Sequence, residues 1–176
     1  MQNTNISNTF FLLFIIISMN MIGFSDSKKL QKFLNTNKNW FNIVNVGDLC
    51  VGSNQNSGSR ITQQICGKTD NVLWKITKDG DNSYLTSKTG NVLNNLGGII
   101  VNGHDVFGTH PVEDYSEVWT IKKLENSDKV QIYNNMAKMC LSDEGKILIN
   151  STHKIRHCDK RNANQLFEIK SIKYDD

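Results

Sequence analysis

Residues 139–169 read MCLSDEGKILINSTHKIRHCDKRNANQLFEI, and this stretch decides the fold. Cys140 and Cys158 stand eighteen positions apart, and the stretch closes on a polar-then-apolar run, Asn164-Gln165-Leu166-Phe167. Residues 49–76, LCVGSNQNSGSRITQQICGKTDNVLWKI, repeat the layout. Here Cys50 and Cys66 are sixteen apart, and Trp74 follows the second cysteine by eight positions, against nine for Phe167. Two cysteine pairs and two terminal aromatics in matching register mark an internal repeat, which has to be settled before single elements are read. A third copy lies between them in weaker form. Val118-Trp119-Thr120-Ile121 matches Leu73-Trp74-Lys75-Ile76 and Leu166-Phe167-Glu168-Ile169, so the anchors fall at 74, 119 and 167. The middle copy has no cysteine; Leu85 falls roughly at the first cysteine position and His110 at the second.

Between the anchors the pattern is one of short alternating runs. Trp74-Lys75-Ile76, Trp119-Thr120-Ile121 and Val130-Gln131-Ile132-Tyr133 place apolar side chains on one face at period two. Turn signals separate them: Asp79-Gly80-Asp81-Asn82, Thr89-Gly90-Asn91, Glu125-Asn126-Ser127-Asp128 and Glu144-Gly145-Lys146. Three copies of short strands predict a three-fold, all-β unit. Trp74, Trp119 and Phe167 are then expected as core anchors near the shared axis, since a large aromatic with Ile two positions on suits a buried face.

On these residues the chain resembles the ricin-B-type lectin domains, β-trefoils whose three repeats each carry a Gln-x-Trp motif. Gln165-Leu166-Phe167 keeps the Gln and has Phe for Trp; Val72-Leu73-Trp74 and Glu117-Val118-Trp119 keep the Trp and lose the Gln. The resemblance runs from about Trp40 to Ile169. It implies an all-β β-trefoil that binds carbohydrate without catalysis.

Residues 1–25 carry no charged side chain, and Phe10 to Ile17 form an unbroken apolar run. A membrane span needs about 20 apolar residues. This run is shorter, Ser18 and Asn20 interrupt it, and Gly23 and Ser25 supply small residues for cleavage. The predicted division is a signal peptide over 1–25, a basic Asn-rich leader over 26–39 and a ricin-B-like β-trefoil domain over 40–176. Export to the cell exterior or a secretory granule fits the cysteines, because disulfides persist in oxidising compartments. Four cysteines pair in three ways; the repeats select Cys50 with Cys66 and Cys140 with Cys158. Zinc would want closer pairs such as C-x2-C, so no metal is expected.

The net charge of +3 is mild and argues against nucleic acid as a partner. Membrane contact is expected only through the signal peptide. Asn150-Ser151-Thr152 is a glycosylation sequon, which suits an exposed loop. No H-E-x-x-H, G-x-S-x-G or phosphate loop occurs, no cofactor is implied, and His104, His110, His153 and His157 are read as ordinary surface residues.

The resemblance implies a sugar pocket made by an Asp soon after the first cysteine, an aromatic just before the second, and an Asn just before the Gln-x-Trp. The third repeat offers Asp143, one position beyond the usual place at Ser142, together with Asn164 and Gln165. Arg156 stands where the stacking aromatic belongs. The first repeat has Gly52 and Gln64 at these places and keeps only Asn71; the middle one offers Ser87, Phe107, Asp114 and Glu117 in an unsettled register. Asp143, Arg156, Asn164 and Gln165 are therefore the candidate carbohydrate site. A guanidinium bonds carboxylates and sulfates bidentately, which would favour an acidic glycan. Two alternatives stay open: a structural or granule-matrix trefoil without a sugar site, and an inhibitor of a secreted hydrolase.

Overall fold

A computed structural model describes residues 21–23, 32, 39–112 and 114–173. A short strand, β1 (Met21–Gly23), precedes three repeats of one pattern. The first repeat holds β2 (Phe41–Val44), β3 (Leu49–Gly52), the two-residue β4 (Ser59–Arg60), β5 (Thr62–Ile65) and β6 (Trp74–Asp79). The second holds β7 (Asn82–Ser87), β8 (Val92–Asn94), β9 (Phe107–Thr109) and β10 (Trp119–Lys123). The third holds β11 (Val130–Asn134), β12 (Met139–Ser142), β13 (Lys154–Arg156) and β14 (Glu168–Ile172). A single 3-10 turn precedes the last strand of each repeat: Asp70–Val72, Tyr115–Glu117 and Ala163–Gln165.

The repeats superpose by register. Ile76 pairs with Leu85, Ile121 with Ile132, and Ile169 with Ile43, joining the end of each repeat to the start of the next. β2 meets β6 at Phe41↔Trp74, β10 lies against β7, and a Val130↔Phe167 bridge joins β11 to β14. These six strands close a ring. Its interior is the main core, in which Trp74, Trp119, Phe167 and the paired Ile and Leu side chains are all buried except the half-buried Ile121. Period two explains this: Trp74 and Ile76 point inward while Lys75 between them stays half-exposed. Each indole also satisfies its N–H inside, Trp74 Nε1 donating to the Val51 carbonyl at 2.8 Å and Trp119 Nε1 to that of Leu93 at 2.9 Å.

Three hairpins, β3–β5, β8–β9 and β12–β13, cap one end of the ring. A cycle of backbone bonds marks the pseudo-three-fold axis there. Ile61 N donates to Val106 O (2.8 Å), Val106 N to His153 O (3.0 Å), and His153 N to Ile61 O (2.9 Å). Cys50–Cys66 and Cys140–Cys158 are bonded as the repeats predict, each within its own repeat.

The register of the middle repeat differs from the sequence expectation. Leu93 accepts from Trp119 as Val51 does from Trp74, so Val92 occupies the place of Cys50 and Cys140. Across the hairpin, Thr109 pairs with Val92 as Gln64 pairs with Cys50, which puts Pro111, not His110, at the second cysteine position. Leu85 belongs with Ile43 and Ile132 in the barrel. Pro111 stands eight residues before Trp119, as Cys66 does before Trp74, whereas Cys158 stands nine before Phe167, so a count taken from the third repeat lands on His110.

β1 pairs antiparallel with Lys170–Ile172, although Met21–Gly23 falls within the predicted signal segment. The rest of that segment, and all of the leader except Lys32 and Asn39, lie outside the described residues. Among the described residues no helix is long and apolar enough to cross a membrane.

Candidate functional site

In the third repeat β13 alternates: Ile155 enters the core, while Lys154 and Arg156 on either side of it are half-exposed. Cα pairing sets Arg156 opposite Cys140 and Lys154 opposite Ser142. Beyond Ser142 the chain turns through Asp143, Glu144 and Gly145, and Asp143 N donates to Asn164 O at 2.9 Å. That bond, with the cystine, brings the two ends of the repeat together. The same contact recurs as Ser53 N to Asn71 O and Asn95 N to Ser116 O, so it belongs to the fold.

Asp143 is buried. One carboxylate oxygen accepts from Asn45 Nδ2 at 3.1 Å and the other from Gly145 N at 2.9 Å. Burial raises its pKa, and these two hydrogen bonds oppose the rise. Gln165 is buried too, and its side chain is engaged by groups other than Asp143 and Asn164. Its Oε1 accepts from Asp159 N (2.8 Å) and Gln131 Nε2 (3.3 Å), and its Nε2 donates to His157 O (2.8 Å). Gln165 therefore clamps the segment around Cys158 to the barrel.

Arg156 and Asn164 reach the surface on either side of the Glu144-Gly145 turn. Glu144 Oε1 lies 2.9 Å from Lys154 Nζ and 3.6 Å from Arg156 Nη2. The Lys154 hydrogen bond leads the causes that hold the Glu144 carboxyl below its ordinary pKa. Gly145 lies so close to Asn164 that a Cβ there would come 2.8 Å from its Nδ2, and φ is 72°. Glycine at 145 thus permits both the left-handed turn and the approach of the amide. The network extends into the second repeat, where Asp105 lies 3.8 Å from Lys154 Nζ and 2.6 Å from Arg60 Nε. Three cations share two carboxylates, leaving a local excess of positive charge beside a half-buried amide.

The equivalent positions of the other repeats are occupied internally. In the first, Gln64 lies across Gly52, bonding Asn71 through Oε1 and Thr62 Oγ1 through Nε2 (3.2 Å). A Cβ at Gly52 would come 2.4 Å from Gln64, so the glycine makes room for the amide that fills the place. In the second, Asn94 takes the place of Ser142. Its Nδ2 donates to Thr109 Oγ1 (2.9 Å) and Glu117 Oε1 (3.1 Å), and its Oδ1 accepts from Ser116 (2.9 Å). Ser87 lies on β7, away from this set, and Asp114 caps the 3-10 turn through Ser116 N. Phe107 packs its ring against His104, with centroids 6.1 Å apart.

Asn150 is exposed, in a loop at φ 69°. His153, expected at the surface, is fully buried instead. Its signal was present in the repeat, since it aligns with Ile61 and Val106. Among the described residues no three His, Cys, Asp or Glu side chains gather to hold a metal ion.

No protein-family model and no curated protein sequence matches the chain. Solved structures do. A designed three-fold symmetric protein, ThreeFoil, is similar with TM-score 0.69 and 13% identity, over 77% of this chain and 99% of that one. A ricin B-like lectin of Macrolepiota procera, solved with lactose, is similar with TM-score 0.62 and 16% identity, over 74% and 93%. An exo-β-1,3-galactanase from Clostridium thermocellum gives TM-score 0.71 and 11% identity, but this chain spans only 31% of it. The chain is a β-trefoil.

Likeness at such low identity establishes the fold alone, so the chemistry rests on the side chains. The second repeat of this trefoil has one more local feature. Val92 and Pro111 stand where the other repeats have a cystine, and with Thr77, Tyr84 and Thr86 they border a cleft of about 190 Å3. That is below the roughly 300–1,000 Å3 of pockets that enclose a drug-sized ligand.

Proposed function

We propose that this protein is an exported, non-catalytic glycan-binding trefoil whose contact residues lie in the third repeat. One observation carries the reading: Arg156 and Asn164 flank the Glu144-Gly145 turn at the surface, while Asp143 and Gln165 are bonded beneath it. Asn164 offers a donor and an acceptor to neighbouring sugar hydroxyls. Arg156 has only a long 3.6 Å pairing with Glu144, which Lys154 holds more closely, so an incoming sulfate or carboxylate completes the pairing of Arg156 through its fork of donors. Asp143 and Gln165 act as scaffold. The two cystines support an oxidising destination.

The site is shallow and has no stacking ring, so binding of a single sulfated sugar is expected at about millimolar Kd and to weaken with salt. Titration of a sulfated and a neutral form of one glycan into wild type, Arg156→Ala and Asn164→Ala tests this. The sulfated form should bind more tightly to wild type; Arg156→Ala should erase that preference, and Asn164→Ala should weaken both forms. Equal affinity across all three proteins would remove the site.

A second reading is favoured by the first two repeats, whose pocket positions are consumed by internal bonds around Gln64 and Asn94. It is a structural trefoil that has lost its sugar sites. Absence of binding by wild type to any glycan would select it.

A further inference from the structure

Each cap hairpin bends between two positions that the backbone equates. Ser53, Asn95 and Asp143 make the same bond to the 3-10 segment, and Gly58, Gly103 and Asn150 each donate to the hairpin of the next repeat. Between these points the first repeat uses four residues (54–57, NQNS), the second seven (96–102, LGGIIVN) and the third six (144–149, EGKILI). The first repeat therefore shows that a short polar loop closes this hairpin. The longer loops add Ile99-Ile100-Val101 and Ile147-Leu148-Ile149, all between 38% and 69% exposed.

These apolar side chains are not needed by the core, and their exposure is concentrated. Among the described residues, nine of the twelve exposed large apolar side chains lie on these two loops or the turns they touch, the others of the nine being Leu96, Val46 and Met136. Each loop packs one side-chain–glycine contact against a neighbouring turn. Ile147 lies against Gly47, beside Val46, and Met136 lies against Gly98. The pseudo-three-fold axis relates the anchor residues of the two loops, so both loops belong to the hairpins that cap the same end of the barrel. Two patches of this sort exceed the scattered exposure normal for a monomer.

We infer that the two loops form a membrane-docking edge that inserts its apolar triplets at the headgroup boundary of an anionic bilayer. The occupant follows from the shape and the flanking charge. Two separate apolar tips suit a compliant apolar layer. Lys146 adjoins Ile147 and Lys138 lies two residues beyond Met136; of the nearby acids, Glu144 is already paired with Lys154 and Arg156, which leaves Asp48 beside Val46 and Gly47. Apolar insertion flanked by Lys is the arrangement that interfacial binding requires, with anionic lipid adding attraction. This contact rests on neither the glycan reading nor any signal segment, and it departs from the sequence expectation that the membrane is met through that segment alone.

The test is flotation of the purified protein with vesicles free of glycolipid, made of phosphatidylcholine alone or with phosphatidylserine. Wild type should float with the mixed vesicles, less at high salt. Ile100→Asp combined with Leu148→Asp should lower the affinity about tenfold or more, since charged side chains enter lipid poorly. Both sites are exposed, so the thermal melt should stay unchanged and confirm folding. Arg156→Ala should still float, which separates this result from the glycan site. Wild type remaining soluble with both vesicle types, or floating equally with the double variant, would overturn the inference. Vesicle-independent dimers that the double variant abolishes would assign the loops to a second copy of the chain instead.

Discussion

His153 stands where the other repeats place Ile61 and Val106, on the cycle of backbone bonds at the axis. Its ring is fully buried, 6.3 Å from the Phe167 ring between centroids, and neither ring nitrogen has a hydrogen-bond partner. Burial pulls its pKa from 6.5 to about 4, the nearby Ile61 backbone opposing the change without a ring hydrogen bond of normal geometry. The folded pKa lies below the unfolded one, so the unfolded chain takes up the proton first as pH falls. Stability is unaffected by this group above about pH 6.5 and drops as pH falls from there to 4, by on the order of 3 kcal/mol. His153→Ile should remove that part of the slope and add about 1–2 kcal/mol at neutral pH by deleting an unpaired buried polar ring. Urea unfolding of both proteins at a series of pH values checks it; parallel curves would show that His153 is not the titrating group. The lack of a catalytic or metal motif around this histidine suggests an ordinary surface residue, and only its position in the repeat, level with Ile61 and Val106, puts it in the core.

At the scale of the element, the hairpin loops share a conformational demand that their sequences meet differently. Gly58, Gly103 and Asn150 occupy equivalent places with φ of 80°, 89° and 69°. Glycine adopts this left-handed region freely, and Asn tolerates it better than residues with other side chains. An ideal Cβ at Gly58 meets nothing within 4 Å, so substitution there reads backbone strain without a clash. Gly58→Ala should cost about 1 kcal/mol, and Gly58→Asn clearly less. Thermal melts of the two variants decide it; equal losses would mean that another property of the loop is at work. Asn150 is also the sequon residue, so its conformational role and its exposure coincide at one position.

Across the whole molecule, the three anchors tie the repeats into one core. Trp119 is buried and its indole N–H is satisfied by the Leu93 carbonyl, so Trp119→Ala opens a cavity and frees an acceptor together. A loss of roughly 3–5 kcal/mol is expected in urea unfolding, as for other large aromatic truncations in cores. Against a typical total of about 5–15 kcal/mol this would leave a marginal protein. A loss under about 1 kcal/mol would contradict the shared core. The anchors, the cystine pairing and the three-fold β architecture were all legible beforehand. They depend on residue types that recur at nearly constant spacing: a pair of cysteines, an aromatic, and an Ile two positions later.

The site was legible only in part, and the same physics explains why. Asp143 and Gln165 were readable as members of the third repeat, but not as buried scaffold, because Asn45, Gln131 and Asp159, which bond them, come from other strands and segments. Glu144 and Lys154 stand ten positions apart in the chain, and only the hairpin pairing sets them beside Arg156 and Asp105. The middle register, the burial of His153 and the equivalent anchoring of the two apolar loops likewise emerged only from the fold. Position along the chain sets which face of a strand a residue occupies. Position around the axis depends on loops of four, six and seven residues, and on long-range pairing that no local spacing encodes.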